Sequence, residues 1–181
     1  IREYLAKLAQ RAIATSELFD QFARVDRIPR LSNGDRENDV EHSFLLATIA
    51  TDLAQELRPD LDVNRIRQFS LVHDMLEIKT GDVATFSTSP EEQAEKERRE
   101  KEALDELLAE LPPLEAEALR EYEKQDTPEA RWTRYVDKML ATLVDITGQG
   151  VRVVEEDFGV TSLEKLCDEH GRLATKYHNM F

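Results

Sequence analysis

Leu71-Val72-His73-Asp74-Met75-Leu76-Glu77-Ile78 sets two adjacent ionisable groups inside an apolar run that should be buried. Burying a charge without a partner costs several kcal/mol, so the stretch demands a bound ion or a dense hydrogen-bond network. A His-Asp dipeptide is common by chance; the weight lies in its setting.

Working outward, the periodicity predicts a helix from Val63 to about Lys79, stopped by Thr80-Gly81. On it Ile66, Ser70, His73 and Glu77 share a face, and Asp74 lies about 100° round from His73. A preceding helix is expected from about Asp39 to Leu57, with Asp39 as N-cap and Pro59 beyond its end. There His42 is in register with Leu45, Ile49 and Leu53, so it shares the inward face. A later helix should open at Thr127-Pro128, with Thr127 as N-cap and Pro128 at the first helical position, and end near Gly148-Gln149-Gly150. It carries Trp132, Tyr135, Val136, Met139, Leu140 and Leu143, and Asp137 shares a stripe with Leu140 and Val144.

Each polar residue has an ordinary explanation when taken alone. A lone His on an apolar face is usually a hydrogen-bonded core residue, and a lone Asp usually an ion pair, here with Lys138 or Arg134. Three such placements in three long helices are harder to dismiss. His42, His73, Asp74 and Asp137 together make a mixed nitrogen and oxygen donor set suited to one divalent ion such as Mn, Co, Fe, Ni or Zn, with positions left open for water and substrate.

The rest of the chain is also helical in pattern. A first helix covers Ile1 to Val25, with Leu5, Leu8, Ile13, Leu18 and Phe22 at mostly helical offsets, and Pro29 and Asn33-Gly34 then make a loop. Residues 82–90 read as a hydroxyl-rich loop. Pro90 to Leu111 forms a charged helix with apolar positions only in its second half, and Leu114 to Lys124 a short one. A last helix, about Ser162 to Tyr177, has Leu163, Leu166, Leu173 and Tyr177 on one side. Strand signals are nearly absent, so the expected fold is all-α: a helical bundle forming a single domain over 1–181. Its core should span about 24–150, with residues 162–178 as a cover or a dimer contact.

With 40% hydrophobic residues, the 181-residue chain can build a continuous core. A net charge of −14 argues against a nucleic acid polymer as partner, because phosphate binding across a general surface needs a positive face. The single cysteine, Cys167, excludes an internal disulfide and fits a reducing, cytoplasmic location. No apolar run approaches the length of a membrane span.

The residues around these ligands resemble a known family. Glu37-Asn-Asp-Val-Glu41-His42-Ser43-Phe44 and His73-Asp74-Met-Leu-Glu77-Ile-Lys-Thr80-Gly81-Asp82 look like the HD-domain metal-dependent phosphohydrolases, and within them the 5′-deoxynucleotidase branch. The similarity continues through Lys96-Glu-Arg-Arg99-Glu-Lys-Glu-Ala103 and Thr127-Pro-Glu-Ala-Arg131-Trp-Thr-Arg-Tyr-Val-Asp137-Lys138, covering roughly Arg24 to Val144. The resemblance implies a helical HD domain, a metal held by His42, His73, Asp74 and Asp137, and catalytic carboxylates at Glu77 and Asp82. It also implies substrate contacts from Arg27, Arg30, Lys96 and Arg99, a nucleotide substrate and a homodimer. Leu31-Ser-Asn-Gly-Asp-Arg36 departs from the branch, which carries a Gly-Trp pair and a longer loop there; the aromatic that would pack on the deoxyribose is absent.

The function expected is therefore a metal-dependent phosphohydrolase that releases phosphate from deoxynucleoside 5′-monophosphates. A deoxynucleoside triphosphate hydrolase on the same scaffold is the near alternative, and a non-catalytic module stapled by its metal is the third. Trp132 and Tyr135 read as core residues, and His170 and His178 as surface or capping residues.

Overall fold

The computed structural model describes residues 1–81 and 90–156. Their order is α1 (Arg2–Phe22), β1 (Asp26–Arg30), β2 (Arg36–Asn38), α2 (Asp39–Leu57), α3 (Val63–Val72), α4 (Glu77–Thr80), α5 (Pro90–Glu110), α6 (Pro113–Lys124), α7 (Pro128–Thr147) and α8 (Gly150–Glu156). The all-α reading holds, with one small addition. Where a loop is expected after α1, the chain folds into an antiparallel β1-β2 ribbon whose pairing is irregular between Asp26 and Arg30. Gly34, at φ 93°, makes the turn between the strands, a conformation that glycine adopts without steric cost.

The caps explain why the two long site helices start where they do. α2 is entered through a capping box: Asn38 accepts from the backbone of Val40 and Glu41, and the Glu41 side chain accepts from the Asn38 backbone. The N-cap is thus Asn38 rather than the expected Asp39, because Asp39 is fully buried and engaged by Arg27. On α7 the expected cap is present, with the Thr127 side chain accepting from Ala130 and Pro128 at the helix start.

The helix expected from Val63 to Lys79 is broken at the His-Asp pair. α3 ends at Val72, and Met75, Glu77, Ile78 and Lys79 donate to the carbonyls of Val72, Asp74, Met75 and Leu76, three residues back. The chain keeps turning right-handed but tightens into a 3₁₀-like segment before α4. This moves Asp74 and Glu77 off the positions that a straight α-helix would give them.

Two apolar clusters flank that break. Leu18, Phe22, Val72, Met75, Leu107, Leu111 and Leu119 belong to one, and Leu46, Ala50, Ala54, Ile66, Trp132, Val136 and Leu140 to the other. Trp132 is a core residue, as expected: it donates its indole N–H to the Ala50 carbonyl at 2.9 Å, tying α7 to α2. The first half of α1 contributes less than its periodicity suggests, since Tyr4, Leu5 and Ile13 are exposed and only Leu18 and Phe22 are buried.

The β1-β2 ribbon is fastened to the end of α7. Gln149 donates its backbone N–H to the Arg30 carbonyl at 3.1 Å. A Cβ at Gly148 would collide with that carbonyl oxygen and sit 2.8 Å from the Val144 oxygen. Gly148→Ala should therefore destabilise the protein by about 1–3 kcal/mol, as overpacking against rigid backbone does. Urea unfolding measures this, and an unchanged midpoint would show that the junction yields freely.

Candidate metal centre

Four side chains from sequence-distant helices converge between the apolar clusters. One ligand-capable atom from each of His42, His73, Asp74 and Asp137 lies within 4.8 Å of the others. His42 enters from the first turns of α2, His73 and Asp74 from the tightened segment after α3, and Asp137 from the middle of α7. His42 Nε2 is 3.0 Å from Asp137 Oδ1 and 3.9 Å from Asp74 Oδ2, while His73 Nε2 is 2.9 Å from Asp74 Oδ2 and 3.7 Å from Asp137 Oδ1. Both rings are fully buried, and the two imidazoles lie 5.3 Å apart at their centroids.

The donor set fits a divalent ion. His73 Nδ1 lies 2.9 Å from the Ser70 carbonyl, so in the neutral ring it donates there and leaves a lone pair on Nε2. That Nε2 is buried without an aligned hydrogen-bond partner despite its short distance to Asp74. Such an atom is costly unless an ion takes the lone pair. Two imidazole nitrogens and two carboxylates can hold one divalent ion and leave coordination positions for other ligands.

Charge in the cluster is strongly shifted. Burial disfavours a charged His73, but Asp74 and Asp137 outweigh it and hold the imidazolium up to about 10. Burial pushes the Asp74 carboxyl upward, yet His73, joined by Arg27, brings it well below the ordinary carboxylate range. Asp137 is likewise held low against burial by Lys138 and both histidines, and its Oδ2 lies 2.8 Å from Lys138 Nζ. The ion pair with Lys138 and the place in the cluster are therefore both real for Asp137, one on each oxygen.

These shifts set a pH dependence. Because His73 is raised from 6.5 to about 10 in the metal-free fold, its contribution to stability is complete below 6.5 and lost as pH rises through about 10. A metal needs that ring neutral and must displace its proton. Divalent ion affinity should then gain about tenfold per pH unit between about pH 7 and 9. Chelator competition across that range tests it; a flat profile would mean His73 carries no proton to displace.

The expected substrate and catalytic residues are distributed unevenly. Arg27, on β1, is largely buried and reaches the cluster directly, with Nη1 2.5 Å from Asp74 Oδ2 and 3.1 Å from Asp39 Oδ1. Burial opposes its charge, but Asp74, Asp137, Glu77 and Asp39 overcome that and raise its pKa. Glu77 opens α4, close enough to Arg27 to act on it. Arg30 turns instead to the Gly34 carbonyl at 3.3 Å. Arg99 is exposed on α5. Lys96 lies on the same helix with its side chain outside the described residues, as are Asp82, His170, His178 and the helix expected at 162–178.

Three contributors escape a reading of spacing. Glu37 is 1% exposed, with Oε2 3.3 Å from His42 Nδ1 and 3.7 Å from Arg27 Nε. Asp39 shares Arg27, and burial with the Asp74 charge raises its carboxyl to about 6 against the pull of that guanidinium. Tyr122 packs edge-on to the His73 ring at 6.0 Å. The only sign of Glu37 in the sequence is its place at the head of the Glu37 to His42 motif.

Fold and geometry together define a helical domain with a buried His-Asp centre able to hold a divalent ion. The HD domain model matches residues 19–174, and the chain belongs to that family. It is 32% identical over 124 residues to the human 5′-deoxynucleotidase HDDC2, covering 64% of this chain and 58% of that one. The 5′-deoxynucleotidase hdd1 of Schizosaccharomyces pombe is 29% identical over 143 residues, covering 72% and 70%. The matched region spans 49–60% of the length of the mammalian relatives. Among solved structures, a predicted metal-dependent phosphohydrolase from Magnetospirillum magnetotacticum superposes with a TM-score of 0.69 at 28% identity, over 96% of this chain and 90% of that one.

Proposed function

We propose that the chain is a metal-dependent phosphohydrolase that releases phosphate from deoxynucleoside 5′-monophosphates. The observation that carries this reading is the buried convergence of His42, His73, Asp74 and Asp137 within 4.8 Å, with Glu77 and Arg27 beside it. The names of the human and fission-yeast relatives support a nucleotide substrate.

His42, His73, Asp74 and Asp137 hold the ion. When bound, a divalent ion supplies Lewis acidity, which makes water nucleophilic near neutral pH and polarises a phosphoryl oxygen. Glu77 orients the attacking water and accepts its proton, or protonates the leaving 5′ oxygen; Asp82 is the second carboxylate in this role. Arg27 keeps Asp74 ionised and presents a cation next to the phosphate, with Arg30, Lys96 and Arg99 as further substrate contacts. Such local cations are needed on a chain whose net charge is −14. We place the enzyme in the cytoplasm as a single-domain homodimer, with residues 162–178 as cover or dimer contact. No helix among the described residues is long and apolar enough to cross a membrane.

A phosphate-release assay over a panel of nucleotides, with Mn, Co, Mg and Zn in turn, tests the reading. Inorganic phosphate and nucleoside from 5′-monophosphates support it. Tripolyphosphate or pyrophosphate from deoxynucleoside triphosphates would replace it with the triphosphate hydrolase; a short turn closed by the Leu31 N–H on the Asp35 carbonyl stands where the branch carries its longer loop. Metal binding without hydrolysis of any nucleotide would leave a metal-stapled module.

A further inference from the structure

Glu37 is a carboxylate that neither the ligand set nor the substrate contacts use. It belongs to β2, where the strand alternation turns Arg36 and Asn38 outward and Glu37 inward to 1% exposure. A carboxylate removed from water this completely needs partners that repay its lost hydration. The groups facing its Oε2 are His42 Nδ1 at 3.3 Å and Arg27 Nε at 3.7 Å. His42 Nδ1 and Glu37 Oε2 are both buried without an aligned hydrogen-bond partner, each within 3.3 Å of the other, and the same ring turns Nε2 into the cluster, 3.0 Å from Asp137.

We propose that Glu37 is the positioning residue of this centre: it accepts the Nδ1 proton of His42, fixing the tautomer that presents a lone pair at Nε2. The proposal rests on the metal-binding reading above. A neutral imidazole has one proton for two nitrogens, and the fully buried His42 ring faces a carboxylate at each, Glu37 at Nδ1 and Asp137 at Nε2. Asp137 is already tied to Lys138 through its other oxygen, so Glu37 takes the proton and makes Nε2 a stronger donor. His73 solves the same problem differently, giving its Nδ1 proton to the Ser70 carbonyl. The two imidazoles therefore have unequal backing, one charged and one neutral.

Arg27 extends the arrangement. It touches Asp39 and Asp74 through Nη1 while its Nε faces Glu37, so one guanidinium links the carboxylate behind His42 to a carboxylate of the cluster itself. Both Arg27 and Glu37 come from the β1-β2 ribbon. The ribbon thus supplies the support for a centre whose ligands are otherwise carried by helices and the turn after α3.

The test compares wild type, Glu37→Gln and Glu37→Leu for Zn(II) affinity by chelator competition, and for the His42 ring by ¹⁵N-resolved NMR of the metal-free proteins. The near-isosteric Gln keeps a neutral acceptor, so Zn(II) binding should weaken about tenfold with the Nδ1–H tautomer retained. Leu removes the acceptor, and binding should weaken about a hundredfold as the His42 proton moves to Nε2. Glu37→Gln binding Zn(II) as tightly as wild type would overturn the proposal, whether or not Glu37→Leu folds. An unchanged His42 tautomer in a folded Glu37→Leu would do the same. Wild type that binds no divalent ion would instead remove the metal-binding reading on which the proposal stands.

Discussion

Asp74→Ala should leave a protein that retains less than about a tenth of a divalent ion per chain and releases no phosphate above the metal-free background. Asp74 sits 2.9 Å from His73 Nε2 and 2.5 Å from Arg27, so it is both a ligand-capable oxygen and the main partner of a largely buried cation. Removing it takes away one donor of four and turns the Arg27 charge toward the remaining site, where it repels any second cation. Wild type should gain about 2.7 kcal/mol of stability in metal at a hundred times its dissociation constant, and the variant none. Thermal melts with and without metal read that difference directly. Asp74→Asn, closer in shape, separates ion loss from cavity formation: it should melt below the metal-free wild type, because Arg27 and His73 lose their anion, but above Asp74→Ala, and still fail to respond to metal. A metal-dependent melt in both variants would show that Asp74 is not a ligand.

Glu77→Gln should behave in the opposite way, binding metal as wild type does while turnover falls about 10²–10⁴-fold, the range for loss of a general acid or base. The structural ground is the break after α3. Had the helix run on straight, Glu77 would stand one turn above His73 on the same face; the tightened segment instead makes it the first residue of α4, near Arg27. There it is outside the group of four converging atoms and acts on Arg27, which contacts Asp74 of that group. Metal content by atomic absorption and phosphate release at saturating nucleotide separate the two roles. Full activity in Glu77→Gln would end its assignment, and loss of metal would move it among the ligands.

Much of this centre is legible in the sequence because buried ionisable residues interrupt periodic apolar stretches. His42 and Asp137 stand out against Leu46, Ala50, Val136 and Leu140, which form the core around them. The starts of α2 and α7 are legible to within a residue because Asn38 with Glu41 and Thr127 with Pro128 are chemical signals for helix entry.

The ribbon is hidden for the converse reason. Asp26-Arg-Ile-Pro-Arg30 and Arg36-Glu-Asn38 carry charges where strands usually show alternating apolar residues, and Pro29 speaks against a strand except at an edge. In a two-stranded ribbon both strands are edges, so Pro29 is tolerated. The ribbon buries Pro29 and Glu37, with Arg27 largely buried beside them, and nothing in a polar stretch distinguishes a buried carboxylate from a solvated one. The break after α3 is hidden because Val72, Met75 and Leu76 suit a 3₁₀ turn as well as an α-helix. α1 shows the limit of periodicity from the other side: the spacing of Tyr4, Leu5 and Ile13 says which way they face, and not whether anything covers them.

Arg27 stands in an excess of acid. Around it lie the carboxylates of Glu37, Asp39, Asp74, Asp137 and Glu77, against the cations of Arg27 and Lys138 and, when protonated, His73. The acids outnumber the bases, so the centre carries a negative field that a cation relieves. Net charge thus draws a cation inward before ligand geometry selects the element.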